Sequence, residues 1–127
     1  MKKLFLSISL MIGVSVALFA QKANVTQAGS LTLQEKPDFN AAREAIKPAF
    51  NDEKTKNDPK TYFTAGMIGY TENDALGKLM LLGKEVDAVK KGKAIMESYN
   101  YFLKAYQLDQ MPNAKGKVKP KYAKKIK

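Results

Sequence analysis

The chain has 127 residues, of which 22 are lysine or arginine and 12 are aspartate or glutamate, giving a formal net charge of +10. It contains no histidine and no cysteine. These absences exclude disulfide bonds, thiolate nucleophiles, imidazole bases and the usual nitrogen- or sulfur-ligated zinc sites. The length suits one compact domain. We therefore predict a protein that is not an enzyme and that needs neither a cofactor nor a metal ion.

Residues 1–20 have the three-part layout of a secretory signal peptide. Lys2 and Lys3 supply positive charge, residues 4–19 form an apolar core, and Ala20 is a small residue at the expected cleavage point. This apolar run is shorter than the roughly 20 residues that a permanent bilayer span requires. We predict a periplasmic or secreted protein with no stable membrane span after cleavage. The alternative is an uncleaved N-terminal membrane anchor.

Two helices are predicted before residue 51. The first covers about residues 24–35 and is closed by Pro37, and Asp38 can cap the second. Apolar residues of the second recur at steps of three and four: Phe39, Ala42, Ile46, Ala49 and Phe50. Pro48 lacks an amide hydrogen and should kink or shorten the last turn. Residues 51–57 are polar and are predicted to form a loop.

A third helix is predicted to begin at Asp58, an N-cap residue, with Pro59 in the first turn. Its apolar face carries two glycines, Gly66 and Gly69. Each costs roughly 1 kcal/mol relative to alanine inside a helix, so a partner helix packed very close explains them better than helix propensity does. Residues 71–74 are polar and are predicted to break the helix.

An apolar segment over residues 76–82 ends at Gly83, and a fourth helix is predicted from residue 86 or 88 to residue 108. In that helix, one face is predicted to carry Ile95, Tyr99, Phe102, Ala105 and Tyr106. Pro112 lies beyond its end, residues 113–119 resemble a loop, and a further short helix is predicted from Pro120, with Tyr122 and Ile126 on one face. Alternation typical of strands is nearly absent, so the predicted fold class is all-α.

Three motifs carry a family resemblance. Tyr-x2-Ala-Gly-x2-Gly begins at Tyr62, Ser-x3-Phe-x2-Ala begins at Ser98 and Ala-x3-Ile-x2-Ala begins at Ala42. The first resembles the first helix of a tetratricopeptide repeat, and the other two resemble its second helix. The chain is thus similar to secreted bacterial tetratricopeptide-repeat proteins over most of residues 22–127. The resemblance assigns packing between helices to Ala42, Ile46, Ala49, Tyr62, Ala65, Gly66, Phe102 and Ala105.

The resemblance implies antiparallel helix hairpins stacked as a short solenoid, with two degenerate repeats in residues 21–112. Their spacing exceeds the 34 residues of a standard repeat, which predicts an insertion near residues 71–91. Residues 113–127 are either a basic tail or the first helix of a further repeat. Because about three repeats are usually needed for stability, we suspect the N-terminal part of a longer array or a shortened version of one. In either case one side of the fourth helix is uncovered, and the chain is marginally stable or self-associates. The alternative is an unrelated helical bundle.

Repeat arrays hold peptides or partner helices. The resemblance therefore implies a protein-protein interaction scaffold of the bacterial cell envelope, with a protein or peptide as partner and no nucleic acid. The excess positive charge lies at the end of the chain, on Lys115, Lys117, Lys119, Lys121, Lys124, Lys125 and Lys127. The alternative function is binding of an anionic surface, lipid or envelope polymer, through this lysine-rich tail.

The acidic pairs and the tyrosines can each be interpreted as functional or as structural. Acidic pairs occur at Asp52/Glu53, Glu72/Asp74 and Glu85/Asp87. Converging carboxylates would permit a hydrolase, but a solvated surface is the favoured interpretation of all three pairs. The six tyrosines could line a ligand groove, but packing between helices is favoured. Arg43 is the only arginine, so recognition of phosphate by paired arginine contacts is poorly supported.

Overall fold

The computed structural model describes residues 23–111 and 120–126, and all of their regular structure is helical. Helix α1 covers residues 23–33. It is followed by α2 (Phe39–Ile46), a 3₁₀ helix (Lys47–Phe50), α3 (Pro59–Leu81), α4 (Ala88–Asp109) and the short α5 (Ala123–Ile126). The predicted all-α class is confirmed. The predicted signal peptide, Pro112 and residues 113–119 lie outside the described residues.

The boundaries of α2 follow from two residues in the sequence. The Asp38 carboxylate accepts a hydrogen bond of 2.9 Å from the backbone N–H of Ala41, which confirms the predicted cap. At the other end, Pro48 cannot donate to the carbonyl of residue 44, and the chain tightens into the 3₁₀ helix. The predicted shortening is therefore confirmed.

Helix α3 begins as predicted, with Pro59 in its first turn and the Asp58 carboxylate accepting from the N–H of Lys60. The predicted break at residues 71–74 is wrong, because α3 continues to Leu81. Its polar side chains there have partners on neighbouring helices: Glu72 binds Arg43, and Asn73 accepts from the Lys91 ammonium.

Gly83 ends α3 with a positive φ of 75°. Its N–H donates to the carbonyl of Met80, and the N–H of Lys84 donates to that of Leu79. These two bonds are the paired closure of a Schellman motif, which favours glycine at the left-handed position. Asp87 then caps α4 by accepting from the N–H groups of Val89 and Lys90. The short connection makes α3 and α4 an antiparallel hairpin.

Residues predicted to form an insertion belong to this hairpin. Residues 71–81 are the last turns of α3, residues 82–87 are the connection, and residues 88–91 begin α4. These residues are therefore parts of two long helices, of 23 and 22 residues, and of the turn between them. The hairpin reaches beyond the short helix α2 as a result.

The core lies where α1 and α2 meet the first half of α3. Its buried apolar residues are Val25, Ala28, Ala42, Ile46, Ala49, Ala65 and Ile68. Two buried threonines have hydroxyl groups that are hydrogen-bonded to the backbone. Thr32 donates to the Ala28 carbonyl at 2.7 Å, and Thr55 donates to the Ala49 carbonyl at 2.8 Å. Many of these side chains are small, so the helices approach closely.

The packed face of α4 differs from the prediction. Its buried residues are Ala94, Ser98, Ala105 and Asp109, whereas Tyr99 is 63% exposed and Ile95 is 41% exposed. The contact with α3 is centred on small residues, so the larger aromatic and aliphatic side chains of the predicted face lie partly in solvent. Ala105 and the half-buried Phe102 are the members of that face that turn toward α3.

The last described segment returns to the end of α4. The N–H groups of Lys121 and Tyr122 donate to the two carboxylate oxygens of Asp109, at 2.9 and 2.8 Å. The ring of Tyr122 lies 4.9 Å from that of Phe63 on α3. Helix α5 follows for a single turn. A short helix in this region was predicted, and its docking on Asp109 was not.

Candidate functional site

The hairpin is tightest at the two glycines of α3. A Cβ atom at Gly66 would lie 2.6 Å from Cε1 of the Phe102 ring, and one at Gly69 would overlap the Ala94 carbonyl and approach the Ser98 nitrogen to 3.1 Å. Contacts below about 3 Å are not tolerated by real Cβ atoms without movement. Only glycine therefore permits this approach, which confirms the predicted close packing of a partner helix.

The eight residues assigned to helix packing divide into two groups. Ala42, Ile46, Ala49 and Ala65 are buried in the core between the first three helices. Gly66 and Ala105 are buried in the hairpin, and Phe102 is half-buried against Gly66. Tyr62, also half-buried, donates its hydroxyl to the Lys56 carbonyl at 2.6 Å. All eight are thus buried or half-buried between helices, and Ile46 and Ala65 also line a small cleft that Arg43, Lys47 and Glu97 border.

Aromatic rings also pack against one another between the helices. Phe50, Tyr62 and Tyr101 form one group, with Phe50 and Tyr101 stacked at 5.3 Å between ring centroids. Burial raises the pKa of both the Tyr62 and the Tyr101 hydroxyl. These tyrosines pack between helices, as favoured by the sequence. Tyr70, Tyr99 and Tyr106 are exposed instead.

Arg43 connects three helices. Its guanidinium on α2 donates to both carboxylate oxygens of Glu72 on α3, at 3.1 and 3.2 Å, and to both of Glu97 on α4, at 3.2 Å. Desolvation lowers the pKa of Arg43, but the hydrogen bonds and charges of the two glutamates outweigh it and raise that pKa overall. The arrangement fixes α2 against the hairpin.

The prediction that all three acidic pairs are solvated is wrong for Glu72, which is buried. Asp52 and Asp87 accept from nearby backbone N–H groups, and Glu53 and Asp74 pair with neighbouring lysines on the surface. Arg43 is the residue from which the buried carboxylate could have been predicted. A guanidinium group can donate two parallel hydrogen bonds to one carboxylate, which favours arginine in buried ion pairs.

An open cleft of about 360 Å³ borders this ion-pair cluster. Its lining includes Lys90, Lys93 and Asp87 at the start of α4. The two glutamates that converge here already direct all four oxygens at Arg43. A hydrolase would need at least one carboxyl group free to exchange a proton with a substrate. The cluster is therefore better suited to holding the helices together than to catalysis.

The most distinctive surface is the uncovered side of α4, called here the open face. At helical spacing it carries Gly92, Ile95, Met96, Tyr99, Leu103, Tyr106 and Gln110, all exposed. None of these seven residues is charged, although they extend over 19 residues and about 27 Å of helix in a chain of net charge +10. The exposed ring of Tyr70 on α3 lies 6.4 Å from that of the half-buried Phe102. Because large exposed apolar patches are uncommon on monomeric proteins, the open face is the candidate functional site.

Neither an acidic metal site nor a membrane-spanning helix is found among residues 23–111 and 120–126. There, no three acidic side chains gather in a way that could hold a metal ion. No helix in the same residues is long and apolar enough to cross a membrane. Compared with protein-family models, curated proteins and solved structures, the chain matches none.

Proposed function

We propose that this chain is an exported helical scaffold of the bacterial cell envelope, built of tetratricopeptide-like hairpins, that holds a protein partner on the open face of α4. The observation that carries the proposal is the uncharged stripe on α4, whose apolar members are all exposed: Ile95, Met96, Tyr99, Leu103 and Tyr106. Nothing in the described part of the chain covers the middle of this stripe, where Met96 and Tyr99 are mostly exposed.

The packing of the helices supports a repeat-like scaffold. α1 with α2 and α3 with α4 are successive helix pairs, joined by a core of small residues. In a repeat array each pair buries its apolar face against the next. The second pair here ends in a helix with an unused apolar face, so a neighbouring helix from a partner fits the same position.

The partner expected on the open face is an amphipathic helix. The stripe is straight, about one helix wide and free of charge, and its residues recur at steps of three and four, which suits an apolar helix face. Tyr99, Leu103 and Tyr106 supply bulky side chains at its centre. Aromatic residues of this kind dominate the binding energy of interfaces.

Photo-crosslinking tests this assignment in intact cells. A benzophenone amino acid placed at Tyr99 should yield one discrete cross-linked protein, and the added substitution Leu103→Glu should abolish it by placing a charge in the stripe. The matched control carries the probe at Gln27, an exposed position of α1, and should yield no such product. A second control, Gln27→Glu, should leave the Tyr99 cross-link intact.

Two outcomes contradict the proposal. The same product from the probes at Tyr99 and Gln27 would show that the open face is not selective. A product with twice the mass of this chain would show that a second copy, instead of another protein, occupies the face.

A further inference from the structure

The connected ends of α3 and α4 expose apolar side chains that the open face does not include. Leu81 is 88% exposed, Leu82 is 73% exposed and Met80 is 52% exposed. We call these three residues the hairpin tip. Three consecutive exposed apolar residues at a turn contribute nothing to the core, which lies near the other half of α3.

The backbone holds the tip in this arrangement. The left-handed conformation of Gly83 and its Schellman closure fix the turn directly after Leu82. The N–H groups of residues 82, 83 and 84 all donate to carbonyls of the last turn of α3. Because these amides are already bonded, moving the tip out of water leaves them satisfied, and the main cost of entering an apolar medium is reduced.

Lysines outnumber carboxylates in the segment that contains the tip. Residues 78–93 contain five lysines against two carboxylates, those of Glu85 and Asp87. Lys84 follows the turn directly, and Lys78 and Lys90 are exposed on the two helices. Asp87 is engaged as the cap of α4, and Lys78 pairs with Asp74 at 2.9 Å. Long lysine side chains can keep their ammonium groups among headgroups while apolar neighbours lie deeper.

We propose that the hairpin tip inserts into the interface of an anionic lipid bilayer. Leu81 and Leu82 would enter the boundary between headgroups and acyl chains, and the lysines of the same segment would contact lipid phosphates. A convex apolar end in a lysine-rich segment suits a bilayer better than a groove of another protein does. The tip uses residues distinct from the open face, so this inference does not depend on the scaffold proposal.

The absence of tryptophan from the chain permits a direct test. Residues 21–127, which contain every described element, are prepared as Leu81→Trp and, as the matched control, as Leu103→Trp on the open face. Each is mixed with vesicles of equal parts phosphatidylcholine and phosphatidylglycerol. We expect the fluorescence of Leu81→Trp to shift to the blue and to be quenched by acyl-chain nitroxide lipids. The fluorescence of Leu103→Trp should not change.

A flotation assay provides the second measurement. Leu82→Asp should weaken partitioning by about tenfold, or about 1.4 kcal/mol, whereas Leu103→Asp should leave it unchanged. Vesicle binding with no response from Leu81→Trp would overturn the proposal and assign binding to the lysine-rich tail. A response from both tryptophans would assign it to the open face. Absence of any vesicle binding would also overturn it, leaving the tip as a protein contact.

Discussion

The guanidinium of Arg43 and the carboxylate of Glu72 meet as a parallel pair of hydrogen bonds, from Nη2 to Oε1 at 3.1 Å and from Nη1 to Oε2 at 3.2 Å. Glu72 is buried in α3, and Arg43 reaches it from α2. The pair gives the polar residues 71–74, which were predicted to break α3, a contact that is compatible with a continuous helix. It also provides the most direct test of how the helices are held together.

Glu72→Gln should lower the free energy of unfolding by about 1–3 kcal/mol, because it weakens a charged contact in a site largely removed from water. The expected loss is moderated by Glu97, which still pairs with Arg43. Urea denaturation followed by circular dichroism measures it. Glu53→Gln is the matched control, since that surface pair with Lys56 should contribute less than about 1 kcal/mol. Equal effects of the two substitutions would argue against a structural role for the cluster.

Two glycines of the hairpin should respond oppositely to alanine. Gly69→Ala forces a Cβ into the Ala94 carbonyl, and overpacking should outweigh the gain in helix propensity, for a net loss of about 2 kcal/mol. Gly92→Ala meets no atom within 4 Å and should stabilise α4 by up to about 1 kcal/mol. Thermal melting measures both. Stabilisation by Gly69→Ala would mean that the helices are not closely packed there.

Two aromatic residues of α4 should differ in how much they contribute to the stability of the fold. Phe102→Ala removes a half-buried ring that contacts Gly66 and Phe63, and should cost about 2–3 kcal/mol of stability. Tyr99→Ala alters an exposed ring and should change stability by less than about 0.5 kcal/mol. Chemical denaturation of both variants checks this contrast. A large loss of stability in Tyr99→Ala would show that the open face contributes to the fold itself.

Stability should fall at alkaline pH. Burial raises the pKa of Tyr62, Tyr101 and Tyr122 above the ordinary value of 10.0. The unfolded chain therefore loses these protons at lower pH than the folded chain does, so their contribution is complete below about pH 10 and is lost as pH rises through the folded values. Urea midpoints between about pH 8 and about pH 11 measure the decline. Tyr101→Phe should reduce it, and a midpoint that rises with pH would contradict the assignment.

Several features of the fold were predictable because their causes lie within a few residues. The caps at Asp38 and Asp58, the change to a 3₁₀ helix before Pro48 and the turn at Gly83 depend on side chains and φ angles of the segment itself. The two glycines of α3 also indicated a close helix contact correctly, since helix propensity alone does not favour them.

The candidate sites were less predictable. The aromatic and aliphatic residues of α4 suggested a packed face, but the contact with α3 uses Ala94 and Ser98, and Tyr99 remains exposed. Hydrophobic periodicity locates an apolar stripe but does not reveal which neighbour covers it. The open face and the hairpin tip are visible only once the positions of the other helices are known.

The amino-acid sequence by itself determined that the chain is helical, where most helices begin and end, and which chemistries its composition excludes. Tertiary structure decided which polar groups are buried and which apolar groups are left in solvent. The physical reason is separation along the chain: Asp58 caps its helix through a residue two positions away, whereas Arg43 finds its carboxylates 29 and 54 positions away.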